Sequence, residues 1–332
     1  MANFKTVDLS ETSLHDFDAE VMEKLLIDHT TKKNIMWCTD DYAELGEGYT
    51  STDEITAEKV IGDNGMLIRP RALKSREEQR DRTRDKAEVF TPAWICNAQN
   101  NLIDNAWFGR KNVFNTENAD NTWTINKEPI SFPEDKTWKD YVRDTRLEIS
   151  CGEAPYLVSR YDTTTGEIIP IEQRIGLLDR KLRVVGENVE SHEDWLKWAQ
   201  VAYQNTYGYE WQGDNLLIAR EVLLQTFLDY HADKFGEETP LQLKSIRYIA
   251  YIISWNLWQM DGIMGVIPNT CGERRKESVN LFGETDIEIT QCKGCNGGNI
   301  REHNGIYALV RDWGAKSEAK KKIRFIDLIK NI

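Results

Sequence analysis

The sequence predicts an α/β protein with a mainly parallel sheet, on three observations. Two short strand candidates, Arg146 to Ser150 and Thr206 to Glu210, alternate with longer stretches of helical periodicity. Hydrophobic residues make up 40% of the 332, enough for a packed core and too many for a disordered or collagen-like chain. No segment repeats at a solenoid period, so a stacked-repeat architecture is excluded.

The elements follow in chain order. Phe17, Val21, Leu25 and Leu26 fall at helical spacing within Phe17 to Ile27. Asn34 to Thr39 reads as a strand that ends at Asp40-Asp41-Tyr42. Residues 69–86 hold eight basic side chains against four acids, either a solvated helix face or a phosphate-contacting segment. Pro92 to Trp107 reads as a helix with proline in its first turn and Trp94, Ile95, Ala98, Leu102 and Ile103 as its apolar positions. Residues 108–140, rich in Asn, Thr and Pro, read as an insertion. Val185 to Tyr203 reads as loop then helix, Asn215 to Tyr230 as a helix, and 241–260 as a helix or helix–strand pair. The remainder, 271–332, is Cys/Gly-rich and then Lys-rich. These shifts divide the chain into 1–86, 87–265 and 266–332.

Charge narrows the function. Lys and Arg number 42 and Asp and Glu 55, giving a net charge of −13, which repels a polyanion at long range. Contact with double-stranded DNA must then come from a local patch, either 69–86 or Lys316, Lys320, Lys321, Lys322 and Arg324. No run of eighteen apolar residues exists, so no membrane span is expected, and Met1–Lys5 has no apolar signal region. The six cysteines are expected to be reduced and the protein cytoplasmic. Eleven tryptophans, several on polar stretches (Trp107, Trp195, Trp198, Trp211), are either core aromatics or flat ligand surfaces.

The strongest site signal is a strand, turn and helix start at Leu147-Glu148-Ile149-Ser150-Cys151-Gly152-Glu153-Ala154-Pro155-Tyr156-Leu157. Gly152 gives a turn without a Cβ clash, Ala154 keeps the loop thin, and a helix N-terminus offers N–H groups to a carboxylate. An ordinary βα turn has the same pattern. Ahead of it stands Phe90-Thr91-Pro92; after it, Glu210 closes a second strand beside Trp211, and Asp261 closes a third. An ionised Glu at a strand end can accept both hydroxyls of a ribose, and an aromatic beside it can lie on a purine.

This set resembles the S-adenosyl-L-methionine-binding half of DNA amino-methyltransferases, including restriction–modification M subunits, over about residues 87–262. The resemblance implies a Rossmann-like sheet flanked by helices, with a small Cys-rich appendage. It implies that Phe90, Thr91 and Pro92 touch the methionine part and that Glu148, Cys151, Gly152 and Ala154 form the cofactor loop. Glu210 would bind ribose, with Trp211 beside it, and Asp261 would lie near the adenine amine. Ile149 stands where the family has Pro, Ala154 where it has a second Gly, and an insertion separates the loop from Glu210.

Methylating an exocyclic amine requires a flipped base, a stacking aromatic and acceptors for the amine. The family's Pro-Pro catalytic motif is absent from the whole sequence. The best stand-in is the strand ending at Asp40 and Tyr42, with Asp40 as acceptor and Tyr42 as stacking ring; an Asp turn has the same pattern. Arg311-Asp312-Trp313 and Pro268-Asn269 are weaker stand-ins. Residues 1–86 then complete the sheet, or a partner subunit completes the site. The expectation is an adenine-N6 methyltransferase of a restriction–modification or phage-related system, or a non-catalytic DNA- or nucleotide-binding relative. Separately, Cys271, Cys292, Cys295 and His303 have the ligand types and the single CxxC spacing of a structural zinc site, or are four reduced side chains of a loop-rich tail.

Overall fold

A computed structural model describes residues 10–86, 88–279 and 285–329; Met1–Lys5 and Ala87 lie outside them. Helices and small sheets are mixed, an α/β architecture. Among the described residues β1 (Asn115–Glu117) and β2 (Trp123–Ile125) form a hairpin within the expected insertion. The parallel sheet has the order β3 (Arg146–Glu148), β4 (Thr206–Glu210), β5 (Leu257–Gln259). Two antiparallel hairpins follow: β6 (Arg274–Val279) with β7 (Thr285–Thr290), and β8 (Leu309–Arg311) with β9 (Lys322–Arg324).

The longer helices are α1 (Ala19–Leu26), α2 (Arg76–Lys86), α3 (Ala93–Phe108), α4 (Leu177–Asn188), α5 (His192–Gln204), α6 (Gly213–Phe235) and α7 (Leu243–Asn256). Asp18 caps α1, accepting from the N–H groups of Glu20 and Val21, and Val21, Met22, Leu25 and Leu26 form its buried face. Phe17 belongs to a separate short helix, Glu11–Phe17. A helix not anticipated from the pattern is α4, whose buried face mixes Leu177, Leu178, Leu182, Val184 and Val185 with Asp179, Arg180 and Lys181.

That buried charge inverts the expected orientation of α3. Its inward face is Asn97, Asn100, Asn101 and Asp104, with Cys96 and Phe108. Arg180 donates to Asp104 at 2.6 Å, to Asn97 at 2.9 Å and to Asn101 at 2.8 Å. A buried guanidinium must be paired and hydrogen-bonded, so the polar stripe turns inward and Trp94, Leu102 and Ile103 face out.

The helices cover one face of the sheet with the main core. Tyr209, Trp258 and Met260 point to the other face, where they meet Ile267, Ala308 and Val310 and the flanking Ile323 and Phe325. The β8–β9 hairpin therefore closes the second face.

Residues 34–39 do not form a strand of this sheet. Met36 donates its N–H to Gln259 Oε1 at 2.8 Å and accepts from Gln259 Nε2 at 2.7 Å, so a side-chain amide stands in for a strand neighbour. Trp37 C=O accepts from Gly213 N–H at 3.0 Å. The segment thus lies against the β5 end and the start of α6, at the opposite edge from Glu148. No helix among the described residues is long and apolar enough to cross a membrane.

Candidate functional site

A pocket of about 470 Å³ opens at the C-terminal ends of β3 and β4. Its walls include Phe90 and Thr91 from the segment before α3, Glu148, Cys151 and Gly152 from β3 and its turn, and Glu210 and Trp211 from β4. Seven of the ten side chains expected around a cofactor therefore share one wall. This is where open α/β sheets bind ligands, since strand ends and turns leave backbone groups exposed there.

The turn is wound by three residues at positive φ, Ser150 (48°), Gly152 (53°) and Ala154 (61°). These conformations, with Pro155, prevent the helix expected to start here. The N–H groups that such a helix start would have offered a ligand are used internally: Glu148 accepts from Tyr156 N–H at 3.4 Å and from Leu157 N–H at 3.1 Å. Glu210 accepts from Gly152 N–H at 2.8 Å and Gln212 N–H at 3.1 Å. The Phe90 ring lies over Gly152, where an added Cβ would sit 3.5 Å from the ring.

Both carboxyls are unusually reluctant to ionise. Burial pushes Glu148 well above the ordinary carboxylate range, its two N–H donors offset this in part, and Glu210 adds repulsion. Burial also raises Glu210, against the N–H groups of Gly152, Gln212 and Trp211 and with added repulsion from Asp214. Such perturbed pairs in a cleft mark candidate ligand sites.

Three expected residues are not brought to this wall. Pro92 caps α3, its C=O accepting from Ile95 and Cys96 N–H groups. Ala154 is fully buried and donates its N–H to Cys151 C=O at 2.7 Å. Asp261 accepts from the N–H groups of Ile263 (2.8 Å) and Met264 (2.9 Å), which fixes the turn after β5.

Asp40 and Tyr42 are likewise not brought to the pocket, which corrects their expected part in holding a base. Asp40 accepts from Ser51 N–H at 2.7 Å, the Asp turn that its pattern also allowed. Tyr42 is buried against Trp37, with ring centroids 4.6 Å apart, and its hydroxyl donates to Asp214 at 2.9 Å. It has no open face for stacking.

Tyr42 instead joins a buried ionic network. Arg82 binds Asp214 at 2.8 Å, Glu88 at 2.7 Å and Gln212 at 2.7 Å. Burial would raise Asp214, but Arg82 and Lys74 outweigh it and hold the carboxyl at about 2. Three cations of the basic segment, Arg71, Lys74 and Arg82, are thus turned inward; Arg76, Arg80 and Arg84 remain exposed.

Glu88, Gln212 and Asn215 also line the pocket and were not anticipated. Glu88 and Gln212 each lie within two residues of an anticipated position, but only the network through Arg82 turns them toward the cavity. Asn215 Nδ2 donates to Glu88 at 3.1 Å, while its Oδ1 is buried without a partner.

The second constellation converges as expected. Ligand atoms of Cys271, Cys292, Cys295 and His303 all lie within 4.8 Å of one another. Cys271 Sγ is 3.4 Å from Cys292 Sγ, 3.6 Å from Cys295 Sγ and 3.3 Å from His303 Nδ1. Tetrahedral bonds of roughly 2.3 Å to sulfur and 2.0 Å to nitrogen give edges of about 3.5–3.8 Å. The cluster could hold a metal ion. Asn304 N–H donates to Cys292 Sγ at 3.3 Å, and Tyr307 hydroxyl accepts from His303 N–H at 2.9 Å, which orients the loop carrying two of the ligands.

No protein-family model, curated protein or solved structure matches this chain.

Proposed function

We propose that the chain is the S-adenosyl-L-methionine-binding half of a DNA methyltransferase, adenine-N6-directed, from a restriction–modification or phage-related system. The observation that supports this most is the shared wall of Phe90, Thr91, Glu148, Cys151, Gly152, Glu210 and Trp211 at adjacent ends of two parallel strands. The proposed sheet is Rossmann-like, with β3, β4 and β5 as its first three strands. Glu210 would accept from the ribose hydroxyls, Trp211 would lie beside the purine, and Phe90 and Thr91 would flank the methionine part. The φ-positive turn at Gly152 is covered by the Phe90 ring, so a ligand would meet this part of the wall through Phe90. When bound, the cofactor supplies an electrophilic methyl group carried on sulfonium.

The base-orienting half is assigned to a partner subunit. Val89 and Ile149 are 75% and 67% exposed beside the pocket, and Leu102 on the outward face of α3 is 69% exposed. Among the described residues β3 pairs only with β4. Arg146 N–H bonds to Asn205 C=O, so by parallel-ladder alternation Leu147 directs its own N–H and C=O to the open side. A parallel strand with an open edge and apolar neighbours suits addition of another strand. The exposed Arg76, Arg80 and Arg84, with the tail lysines, would meet double-stranded DNA. The Cys₃His set is assigned to structural zinc, because thiolates with one imidazole leave no open position for chemistry.

One observation favours a second reading: no Pro-Pro dipeptide occurs in the sequence. On that reading the protein is a non-catalytic DNA- or nucleotide-binding subunit. Calorimetry with S-adenosylmethionine tests the pocket; saturable binding is expected, and none by a folded chain overturns both readings. Transfer of labelled methyl to unmodified DNA, by the chain alone and with products of neighbouring genes, tests the enzyme. No transfer under either condition overturns the methyltransferase reading and leaves the binding subunit.

A further inference from the structure

Asn215 is 2% exposed, lines the pocket and is the third residue of α6. Its amide orientation is fixed by chemistry: Nδ2 donates to Glu88 Oε2 at 3.1 Å, and a carboxylate can only accept. Glu88 is in turn held by Arg82 Nε at 2.7 Å and Arg71 Nη1 at 3.3 Å. The amide cannot turn over without facing its oxygen to Glu88. Oδ1 is therefore a locked acceptor with no donor among the described residues. An unmet buried acceptor is costly, and a ligand donor would recover that cost.

The rest of the wall mixes donors and acceptors. Glu148 and Glu210 lie there beside hydroxyl and amide groups of Thr91, Ser150 and Gln212, and Lys86 is the one cationic side chain of the lining. An acceptor such as Asn215 Oδ1 offers nothing to the oxygens of an ionised phosphate, which also only accept. We infer that Asn215 Oδ1 receives an N–H or O–H of the bound ligand and helps select phosphate-free nucleosides rich in donors over nucleoside phosphates. This rests on the cofactor reading above and names a selecting residue for that pocket.

The test is calorimetry on the full chain with S-adenosylmethionine, 5′-methylthioadenosine and ADP, using wild type and Asn215→Leu. The leucine fills similar volume without an acceptor. Affinity for S-adenosylmethionine should fall roughly tenfold to a hundredfold, the equivalent of one hydrogen bond from a charged or buried partner. An equal loss for 5′-methylthioadenosine assigns the donor to the adenosyl part; a loss confined to S-adenosylmethionine assigns it to the amino-acid part. Either supports the inference. Wild-type affinity in the variant overturns it while leaving the cofactor reading intact, as does wild-type binding of ADP as tight as that of S-adenosylmethionine. Wild type that binds neither nucleoside overturns the cofactor reading itself, and this inference with it. Asn215→Ala, which adds no bulk, gives the same comparison where the leucine variant melts early.

Discussion

Gly152 donates its N–H to the Glu210 carboxylate at 2.8 Å, joining the turn after β3 to the end of β4. The bond ties together the two strand ends that line the pocket. Replacing Glu210 with alanine frees the Gly152 turn and removes the proposed ribose acceptor together. Affinity for S-adenosylmethionine should drop by roughly tenfold to a hundredfold. Titration calorimetry reads this directly, and an unchanged Kd would remove Glu210 from the site. Glu210→Gln keeps an acceptor for Gly152 N–H and should lose less.

Gly213 opens α6 and allows Trp37 to approach. A Cβ there would collide with the Met36 carbonyl oxygen, and backbone cannot move aside as a side-chain tip can. Gly213→Ala should therefore cost about 1–3 kcal/mol by overpacking, seen as a Tm lowered by a few degrees. Gly186, with nothing within 4 Å of its added Cβ, is the control in a helix interior. Alanine there should be neutral or stabilising.

Asp40→Ala should leave S-adenosylmethionine affinity unchanged, because its carboxylate serves the Ser51 turn. Tyr42→Phe should also leave affinity unchanged. It should lower stability by about 1 kcal/mol, since it removes one donor from the buried Asp214, which keeps Arg82. Chemical denaturation and calorimetry separate the two effects. A lost affinity in either variant would restore these residues to the binding site.

Much of this was legible because it is local. Strand ends at Glu148 and Glu210, the turn at Gly152 and the CxxC cluster are set by residues close in sequence, and the structure brings each group together. What was not legible depends on distant charges. The stripe of Trp94, Leu102 and Ile103 has the period of a buried face, yet the fully buried Arg180 draws Asn97, Asn101 and Asp104 inward instead. Met36 and Trp37 have strand-like neighbours in sequence, but Gln259 and Gly213, over 170 residues away, satisfy their backbone and keep them off the open edge of β3. Asp261 lies two residues past the end of β5, and its side chain is taken by its own turn.

Metal should be present at one ion per chain, and zinc is the expected identity by elemental analysis. Cys295→Ser should weaken retention against a chelator, and stripping the metal should expose residues 271–305 to protease. The affinity proposed for the pocket at β3 and β4 should persist, because its wall draws no residue from this segment. Loss of S-adenosylmethionine binding on metal removal would contradict that separation, and a purified chain without metal would remove the assignment.

Glu153 sets a pH dependence that can be isolated. It is 1% exposed, accepts from Arg71 N–H at 2.6 Å and from the Tyr161 hydroxyl at 2.6 Å, and burial pushes its carboxyl up to about 7 from an ordinary 4.5. The native state therefore holds this proton more tightly than the unfolded chain does. Its contribution favours folding below pH 4.5 and is lost as pH rises through 7, with a cost on the order of 3 kcal/mol once both states are ionised. Glu148, Glu210 and Asp179 are raised by burial as well and act in the same sense, so the slope of wild type alone is not diagnostic. Asp214, held at about 2, loses its contribution only in strong acid, outside this window. Glu153→Gln retains an acceptor for Arg71 and a donor for Tyr161, and cannot ionise. Its stability relative to wild type should be near zero or slightly negative at pH 5 and positive at pH 8.5. Urea denaturation at the two pH values measures the difference, and a variant curve parallel to wild type from pH 5 to 8.5 would mean that Glu153 ionises normally in the folded protein.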